Sequence, residues 1–307
     1  VMDCYEAYAD FILASAVLNP INGPTLPSQP SAQASRDRLL RLAGPIGALA
    51  MIAVLLLLAI SQETVQTVPG AHDQLDTKLL ATLRHERKRG ALLRNKKSAL
   101  LISDPTCSFY YTETVHQLRA QVERAHEKDG RQVFLITSCA ENEGKSTVAA
   151  NLAISLAEKG HTVVLVDGDL RRPSQFLIFG LQPTEENELG EFLKRQEKDF
   201  SLIMHTEMPK LFVIGGRNCY SSSTDIVQSD ITREFLITCG ETVDYVIVDT
   251  PPTGVLGDAE LWGQYTDAVL FVERQNFVPV EDINTMVDKF RAQGSRILGV
   301  VMNGVQS

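Results

Sequence analysis

Short and almost continuously apolar segments recur along the second half of the chain, with segments of helical spacing between them. Strands that are apolar throughout are typical of a parallel sheet covered on both faces. Segment 146–160 has apolar residues at helical spacing and ends at Gly160, which predicts a helix. Strands alternating with helices predict a three-layer α/β domain with a mostly parallel sheet. The predicted strands are 132–138, 162–169, 211–216, 244–252, 268–274 and 297–304.

An earlier part of the chain has a different pattern. Residues 42–60 carry no charge, and a helix of 19 residues is long enough to cross a bilayer core. We therefore predict one transmembrane helix there. The alternative is a buried core helix. Residues 1–41 are rich in Pro, Ser and Gln and predict an extended juxtamembrane segment. Residues 61–104 predict a cytosolic linker, whose basic run at 83–97 is either solvated or in contact with anionic lipid. The α/β domain is expected over 105–307.

The composition narrows the class of protein. The 307 residues have a formal net charge of −9, so no dominant basic surface is expected and we predict no nucleic-acid partner. The five cysteines are scattered and show neither metal-binding nor CxxC spacing, which predicts reduced thiols in a cytosolic domain.

The residues between the first predicted strand and the predicted helix resemble a phosphate-binding loop. A Walker A loop reads G-x-x-x-x-G-K-[ST]; Gly144, Lys145 and Ser146 match its second half, and Cys139 stands at its first glycine. Backbone N–H groups of such a loop, and of the helix that follows, bind phosphate oxygens. We therefore predict that the loop binds ATP. The predicted contacts are Cys139, Ala140, Glu141, Asn142, Glu143, Gly144, Lys145, Ser146 and Thr147.

Two aspartates at strand ends add a predicted metal site to this loop. Asp167 and Asp249 each follow a run of apolar residues, and the carboxyl ends of parallel strands meet at one edge of a sheet. We expect both to converge on the Ser146 hydroxyl and to bind Mg²⁺ with it, the alternative being that either aspartate only caps the next helix. Lys145 is expected to face solvent in the empty loop and to reach the β- and γ-phosphates.

With these motifs together, the chain resembles the bacterial tyrosine kinases, the cytoplasmic parts of polysaccharide co-polymerases. That family has an A′ motif, D-x-D-x-R, which is matched here by residues 167–171, and a Walker B strand, matched by residues 246–249. It also places a proline-rich segment and a membrane helix before the kinase domain, as residues 18–60 do. The related MinD/ParA-type ATPases carry a signature lysine where this chain has Ala140, which favours the kinase branch.

The resemblance implies an ATP-dependent protein tyrosine kinase that phosphorylates itself and regulates capsular or exopolysaccharide biosynthesis and export. Its kinase domain would be cytoplasmic at the inner (plasma) membrane, with polysaccharide export and polymerisation proteins as partners. The implied catalytic residues are Lys145, Asp167 and Asp169, either aspartate orienting or deprotonating the tyrosine hydroxyl, and Arg171 is an implied nucleotide contact. The alternatives are a MinD/ParA-like ATPase and a nucleotide-binding scaffold without turnover.

Two further family features concern assembly and the phosphate acceptor. The family forms rings through an E-x-x-R-x-x-R helix, and Glu113, His116 and Arg119 have this spacing, with histidine replacing the middle arginine. A homo-oligomeric ring is therefore implied, although the histidine weakens the match, and the alternative is that these residues form only a solvated helix face. The family often ends in a tyrosine cluster, whereas this sequence ends in VVMNGVQS and does not begin with Met, so we expect a fragment. Little self-phosphorylation is then expected at the C-terminus. Any self-phosphorylation is expected on Tyr110 or Tyr111, and otherwise the acceptor is another protein.

Overall fold

The computed structural model describes residues 6–11, 43–56, 74–86, 99–195, 202–253 and 257–306. The chain divides into two compact units, Val1–Gln62 and Glu63–Ser307. In the first unit, residues 6–11 and 43–56 are helical and their side chains are exposed. The former stretch was predicted to be extended, but it contains neither Pro nor Gly to oppose a helix.

The predicted transmembrane helix is only partly covered by the described residues. Of the predicted span 42–60, residues 43–56 are described and are helical. Among the parts of the chain that the structure describes, no helix is both long and apolar enough to cross a bilayer.

The second unit is a three-layer α/β fold with a mostly parallel sheet, which confirms the predicted fold class. Its strands are β1 (Leu79–Arg84), β2 (Val133–Thr137), β3 (Val163–Asp167), β4 (Met204–His205), β5 (Leu211–Ile214), β6 (Tyr245–Asp249), β7 (Ala268–Arg274) and β8 (Ile297–Val305). Its helices are α1 (Phe109–Asp129), α2 (Lys145–Glu158), α3 (Gln175–Ile178), α4 (Leu189–Arg195), α5 (Ser223–Val227), α6 (Asp230–Thr242), α7 (Asp258–Gly263) and α8 (Val280–Ala292).

The strand order places the phosphate-binding loop at the centre of one sheet edge. The sheet has the order β1-β8-β7-β2-β6-β3-β5-β4, and all its pairs are parallel except β4 with β5. From β2 the chain builds one side of the sheet and then crosses to β7 on the other side. The carboxyl end of β2 is therefore a topological switch point, where α/β proteins bind their ligands.

Alternate residues of the central strands enter two different cores, which is why these strands are apolar throughout. In β2, Phe134 and Ile136 join the core under α1 and α2, together with Leu118 and Leu152. Leu135 joins the opposite core. That second core contains large side chains from α6, α7 and α8, namely Phe235, Trp262 and Phe290.

The edge strand β1 is the main departure from the predicted domain boundaries. It lies inside the predicted linker 61–104, pairs in parallel with β8 and buries Leu83 completely, so the α/β unit begins before residue 105. Its partner strand lies at the other end of the chain, and a short segment carries no local sign of such a distant pairing. Of the basic run 83–97, only residues 83–86 belong to the described part.

A buried amide connects α2 with the segment before α1 and with α1 itself. The Asn151 side chain is fully buried, and its Oδ1 accepts a hydrogen bond from Ile102 N at 2.8 Å. Its Nδ2 donates to Leu100 O at 2.9 Å and to Tyr111 Oη at 3.3 Å. These bonds satisfy buried backbone groups that no regular element pairs.

Asn151→Ala is expected to destabilise the domain by about 2–3 kcal/mol, because the buried N–H of Ile102 and the partly buried carbonyl of Leu100 would lose their partner. For a domain of this size, that loss lowers the melting temperature by about 4–12 °C. Thermal unfolding followed by circular dichroism measures the change. Asn284→Ala, which removes an amide bonded to backbone at the surface, is the control and should cost less than about 1 kcal/mol. Equal melting temperatures for the two variants would contradict the expectation.

Candidate active site

The phosphate-binding loop makes its left-handed turns after Cys139, which explains why that position needs no glycine. The loop joins the end of β2 to the start of α2, and positive φ values occur at Asn142 (66°) and Gly144 (90°) but not at Cys139. A Cβ on Gly144 would collide with the side-chain amide of Asn303. The second glycine of the Walker motif is therefore the one that the structure requires.

Lys145 lies at the start of α2 and is nearly enclosed, whereas the sequence predicted a solvent-facing side chain. Only 14% of the side chain is exposed. Its Nζ donates to Ser146 Oγ at 3.2 Å and lies 3.4 Å from Asp169 Oδ2 and 3.8 Å from Asp249 Oδ1. Burial by itself would lower the pKa of Lys145, but the surrounding carboxylates outweigh it and raise the pKa above its ordinary value. The ammonium group is therefore charged at neutral pH.

Asp167 and Asp249 stand opposite each other in the register of β3 and β6, at 1% and 0% exposure. Asp167 Oδ2 accepts from the backbone N–H groups of Ser174 at 2.7 Å and Gln175 at 2.8 Å. Asp249 Oδ2 accepts from Gln175 Nε2 at 2.8 Å. The Oδ1 atom of each aspartate is buried without a hydrogen-bond donor. Burial raises the pKa of both carboxyls, and the charge of Asp249 raises that of Asp167 further.

These two Oδ1 atoms fit a divalent cation. Buried carboxylate oxygens without hydrogen-bond donors are costly unless positive charge faces them. Lys145 Nζ, 3.8 Å from Asp249 Oδ1, supplies one positive charge for two carboxylates. Oxygen ligands are those that Mg²⁺ prefers. The Ser146 hydroxyl lies beside them, next to Lys145 Nζ. Within the described ranges, no group of three or more His, Cys, Asp or Glu side chains could hold a metal, so phosphate oxygens or waters would have to complete the shell around Ser146, Asp167 and Asp249.

A cleft of about 860 Å³ opens over this edge of the sheet. Its volume is within the range of small-ligand pockets. Asp169 reaches the cleft, while Asp167 and Asp249 lie beneath its lining. The residues of the predicted site that line it are Glu141, Asn142, Gly144, Lys145, Ser146, Thr147 and Asp169.

Three predicted nucleotide contacts, Cys139, Ala140 and Glu143, do not line the cleft. Glu143 is fully buried; its Oε2 accepts from Ala140 N at 2.6 Å and its Oε1 from Arg274 N at 3.0 Å. Glu273 Oε1 accepts from Cys139 N at 3.1 Å. Burial raises the pKa of both glutamates. These side chains hold the first half of the loop against the end of β7.

Arg171, predicted as a nucleotide contact, is turned away from the cleft. Its Nε donates to Asp258 Oδ2 at 3.1 Å, and its other nitrogens donate to Ser221 O and Thr224 Oγ1. Arg172 lines the cleft instead; it is largely exposed and pairs with Glu141 of the loop at 2.7 Å. The A′ motif therefore supplies Asp169 to the cleft, while its arginine connects to α5 and α7.

Two residues that no sequence motif marks organise the site. Gln175 Nε2 donates to Ser146 O at 3.1 Å as well as to Asp249 Oδ2, so one buried amide connects the helix start to the Walker B strand. Asn303 Nδ2 donates to Glu143 O at 2.7 Å and holds the loop from the end of β8. Neither residue belongs to a known motif, and no local pattern in the sequence marks them.

The three residues of the implied ring motif lie on α1, as predicted, but two of them contact α2. Arg119 Nη1 donates to Ser155 O at 3.2 Å and to Ser155 Oγ at 3.1 Å. His116 Nε2 lies 3.8 Å from a carboxylate oxygen of Glu158. Glu113 is exposed. In this structure Arg119 packs α1 onto α2, and the ring stays a prediction.

Comparison with known proteins identifies the family. Residues 130–306, more than half of the chain, match the ParA family, described as NUBPL iron-transfer P-loop NTPase. The tyrosine-protein kinase CpsD of Streptococcus pneumoniae serotype 4 is 30% identical over 177 residues, which are 57% of this chain and 77% of that protein. The chain belongs to the bacterial tyrosine-protein kinases, within the ParA-type P-loop NTPases. The resemblance inferred from the motifs is thereby confirmed.

Other similar proteins match a larger share of the chain. The tyrosine-protein kinase ptk of Acinetobacter johnsonii is 26% identical over 237 residues, 76% of this chain, but the chain spans only 32% of that protein's length. The solved structure of the chimerical protein CapA2B2 is 27% identical, has a TM-score of 0.65 and covers 78% of this chain and 100% of that chain. The described kinase fold is therefore shared over most of the second unit.

Proposed function

We propose that this chain is an ATP-dependent protein tyrosine kinase that transfers the γ-phosphate of ATP to a tyrosine hydroxyl. The main observation behind the proposal is that Lys145 Nζ, at the end of the phosphate-binding loop, lies within 4 Å of carboxylate oxygens of both Asp169 and Asp249. Relatives named tyrosine-protein kinases match the part of the chain that contains these residues.

In the proposed reaction, the loop N–H groups and the Lys145 ammonium bind the β- and γ-phosphates and stabilise the charge that develops on them. Mg²⁺ bound by Ser146, Asp167 and Asp249 would supply further positive charge to the phosphates. The tyrosine oxygen forms a bond to the γ-phosphorus while the bond to the β–γ bridging oxygen breaks, and ADP leaves. Asp169 lines the cleft and Asp167 lies beneath it, so Asp169 is proposed to orient the hydroxyl and accept its proton.

Phosphate transfer to tyrosine is the test of this proposal against its two alternatives. The chain is incubated with radiolabelled ATP, Mg²⁺ and a Glu–Tyr copolymer, and labelled phosphotyrosine is expected after acid hydrolysis. Release of inorganic phosphate without phosphotyrosine would instead indicate an assembly ATPase of the MinD/ParA kind. ATP binding without either product would indicate a regulatory scaffold.

The resemblance also supports a wider proposal about the cellular role. Residues 42–60 would anchor the chain in the inner membrane, with 61–104 and the kinase unit in the cytoplasm, where the chain would regulate capsular or exopolysaccharide biosynthesis and export together with polysaccharide export and polymerisation proteins. A homo-oligomeric ring through the face of α1 that carries Glu113 belongs to the same proposal.

The proposed orientation yields a topology prediction. A nucleotide site needs cytoplasmic ATP, so a reporter fused after residue 100 is expected inside the cell. Arg36, Arg38 and Arg41 precede the span, and by the positive-inside rule they favour the opposite orientation. An otherwise identical fusion after residue 35 is the control, and its reporter is expected outside the cell. A reporter after residue 100 that is active only outside the cell would overturn the orientation.

Tyr110 rather than Tyr111 is the expected site of self-phosphorylation. Tyr110 is 69% exposed, and Arg84, which lines the cleft, lies 5.7 Å from its ring centre. Tyr111 borders the cleft, but its side chain is only 5% exposed and its hydroxyl accepts a hydrogen bond from Asn151. Burial also raises the pKa of Tyr111. Incubation with Mg²⁺ and ATP followed by phosphosite mapping by mass spectrometry should find Tyr110 labelled and Tyr111 unlabelled.

Single Phe variants test this choice. Tyr110→Phe is expected to remove most of the tyrosine labelling of this chain, whereas Tyr8→Phe, at a tyrosine of similar exposure in the other unit, should leave it intact. Labelling concentrated on Tyr245, which is 1% exposed in β6, would contradict the fold itself.

A further inference from the structure

A second cavity, of about 680 Å³, lies at the opposite edge of the sheet from the nucleotide cleft. It is formed where β1 and β8 begin and where α1 ends, with Lys78, Ile297 and Lys128 among its lining residues. Neither the phosphate-binding loop nor the A′ and Walker B motifs contribute to it. The proposed reaction therefore gives it no role.

The charge of this cavity is opposite to that of the whole chain. The sequence has a net charge of −9, yet five cations and only two carboxylates, Asp76 and Asp129, line the cavity, a surplus of three positive charges. A concave surface with one dominant sign of charge attracts ions of the other sign. The five cations are Lys78, Arg124, Lys128, Arg131 and Arg291.

Three of these cations have no ion pair with a carboxylate in the described part of the chain: Lys78, Arg124 and Lys128. The other two are partly satisfied. Arg131 Nη2 lies 2.7 Å from Asp129 Oδ2, but its Nε is enclosed and has no acceptor among the described residues. Arg291 donates to Asp76 O at 2.7 Å and lies 3.1 Å from Asp288 Oδ1. Strong donors therefore remain available on several sides of one cavity.

We propose that this cavity binds a small anion that carries phosphate. Its volume lies in the range of small-ligand pockets. Guanidinium groups bind phosphate through paired N–H donors, and lysines add point charge, so the side chains present match phosphate chemistry. Two sources have this chemistry: a soluble phosphorylated metabolite and the headgroup of an anionic phospholipid.

The position of the cavity separates this site from ATP binding. Helix α1 has 21 residues and is therefore about 30 Å long. Tyr111 in its first turn lines the nucleotide cleft, while Arg124 and Lys128 near its end line the second cavity. Strand β8 repeats this arrangement, with Asn303 at the cleft and Ile297 at the second cavity. Filling one site leaves the other free.

Calorimetric titration with inorganic pyrophosphate tests the site, with the nucleotide site saturated by ADP and Mg²⁺. One pyrophosphate per chain is expected to bind. The triple variant Lys78→Gln, Arg124→Gln, Lys128→Gln should bind it at least about tenfold more weakly, because each charge-assisted hydrogen bond contributes more than the free energy of a tenfold change. Affinity for ATP should be unchanged in this variant.

A matched control removes three exposed cations elsewhere on the unit, Lys159, Lys210 and Arg233, by the same Lys→Gln and Arg→Gln changes. The control should bind pyrophosphate as the unchanged chain does. The proposal is overturned if the unchanged chain binds no pyrophosphate while ADP is present, or if the two triple variants weaken binding equally.

Sedimentation with lipid vesicles identifies the source of the anion. If the cavity variant co-sediments less than the control with phosphatidylglycerol vesicles, but equally with phosphatidylcholine vesicles, the anion is a phospholipid headgroup. Equal behaviour with both vesicles, combined with the loss of pyrophosphate binding, assigns a soluble phosphorylated anion. Unchanged pyrophosphate binding by the cavity variant contradicts both assignments.

Discussion

Lys145→Met is expected to reduce phosphate transfer and ATP turnover at least about 100-fold, the loss typical when one charge-stabilising donor is removed from an active site. The only cation whose Nζ lies within 4 Å of both Asp169 and Asp249 in the described structure is Lys145. Methionine has a similar length but no charge to offer the β- and γ-phosphates. Radiolabelled transfer to a Glu–Tyr copolymer and phosphate release measure the effect.

The same variant should remain folded. The side chain is 14% exposed, so an unbranched apolar replacement fits the same channel. Burial raises the pKa of Asp249, and the positive charge of Lys145 lowers it. Without the lysine charge, the protonated form of Asp249 is favoured further. We expect a loss of about 1–2 kcal/mol in stability, measured by thermal unfolding. Lys159→Met, at the exposed far end of α2, is the control and should keep full activity. Full activity in Lys145→Met would remove the central claim about this site.

Asp167→Asn and Asp249→Asn are each expected to lower Mg²⁺-dependent kcat/KM about 100-fold or more, with little change in nucleotide affinity when Mg²⁺ is chelated. In each aspartate, the Oδ1 atom that would face the metal is buried and has no hydrogen-bond donor. In each variant this charged carboxylate becomes a neutral amide. The hydrogen bonds that Ser174 and Gln175 donate to the Oδ2 atoms can persist, since the amide keeps one acceptor oxygen. The loss should therefore concern the metal rather than the fold.

Nucleotide affinity measured with fluorescent ADP, with and without Mg²⁺, separates the two effects. The unchanged chain should gain affinity on addition of Mg²⁺, and the two variants should gain less. Asp225→Asn, at an exposed carboxylate of α5, is the control and should behave as the unchanged chain. Normal Mg²⁺ dependence in both variants would mean that Asp167 and Asp249 are structural only.

The fold class and the centre of the site could both be predicted from the sequence. Strands such as β2 and β6 are buried on both faces, so their residues are apolar throughout, and this pattern is visible without any partner. The loop from Gly144 to Ser146 is contiguous, and its chemistry is local. Asp167 and Asp249 end their strands, and parallel strands bring their carboxyl ends to one edge, so their proximity also followed from the pattern.

Features that depend on residues far apart in the chain could not be predicted and became visible only in the folded structure. The pairing of β1 with β8 joins two ends of the unit, and Gln175 reaches both Ser146 and Asp249 across the fold. Arg171 pairs with Asp258 and is held away from the cleft, so Arg172 lines the cleft instead. Contacts of this kind leave no period and no motif, because each is set by packing rather than by neighbours in sequence.

The adjacent tyrosines show the same limit within one turn of helix. Helical periodicity predicts that Tyr110 and Tyr111 point in different directions, but not which of them is enclosed. The side-chain amide of Asn151, from α2, donates a hydrogen bond to the Tyr111 hydroxyl, whereas Tyr110 lies at the surface beside Arg84. The sequence shows that two tyrosines precede Glu113. The packing of α1 on α2 makes Tyr110 accessible and encloses Tyr111, and a tyrosine hydroxyl must be accessible to accept a phosphate.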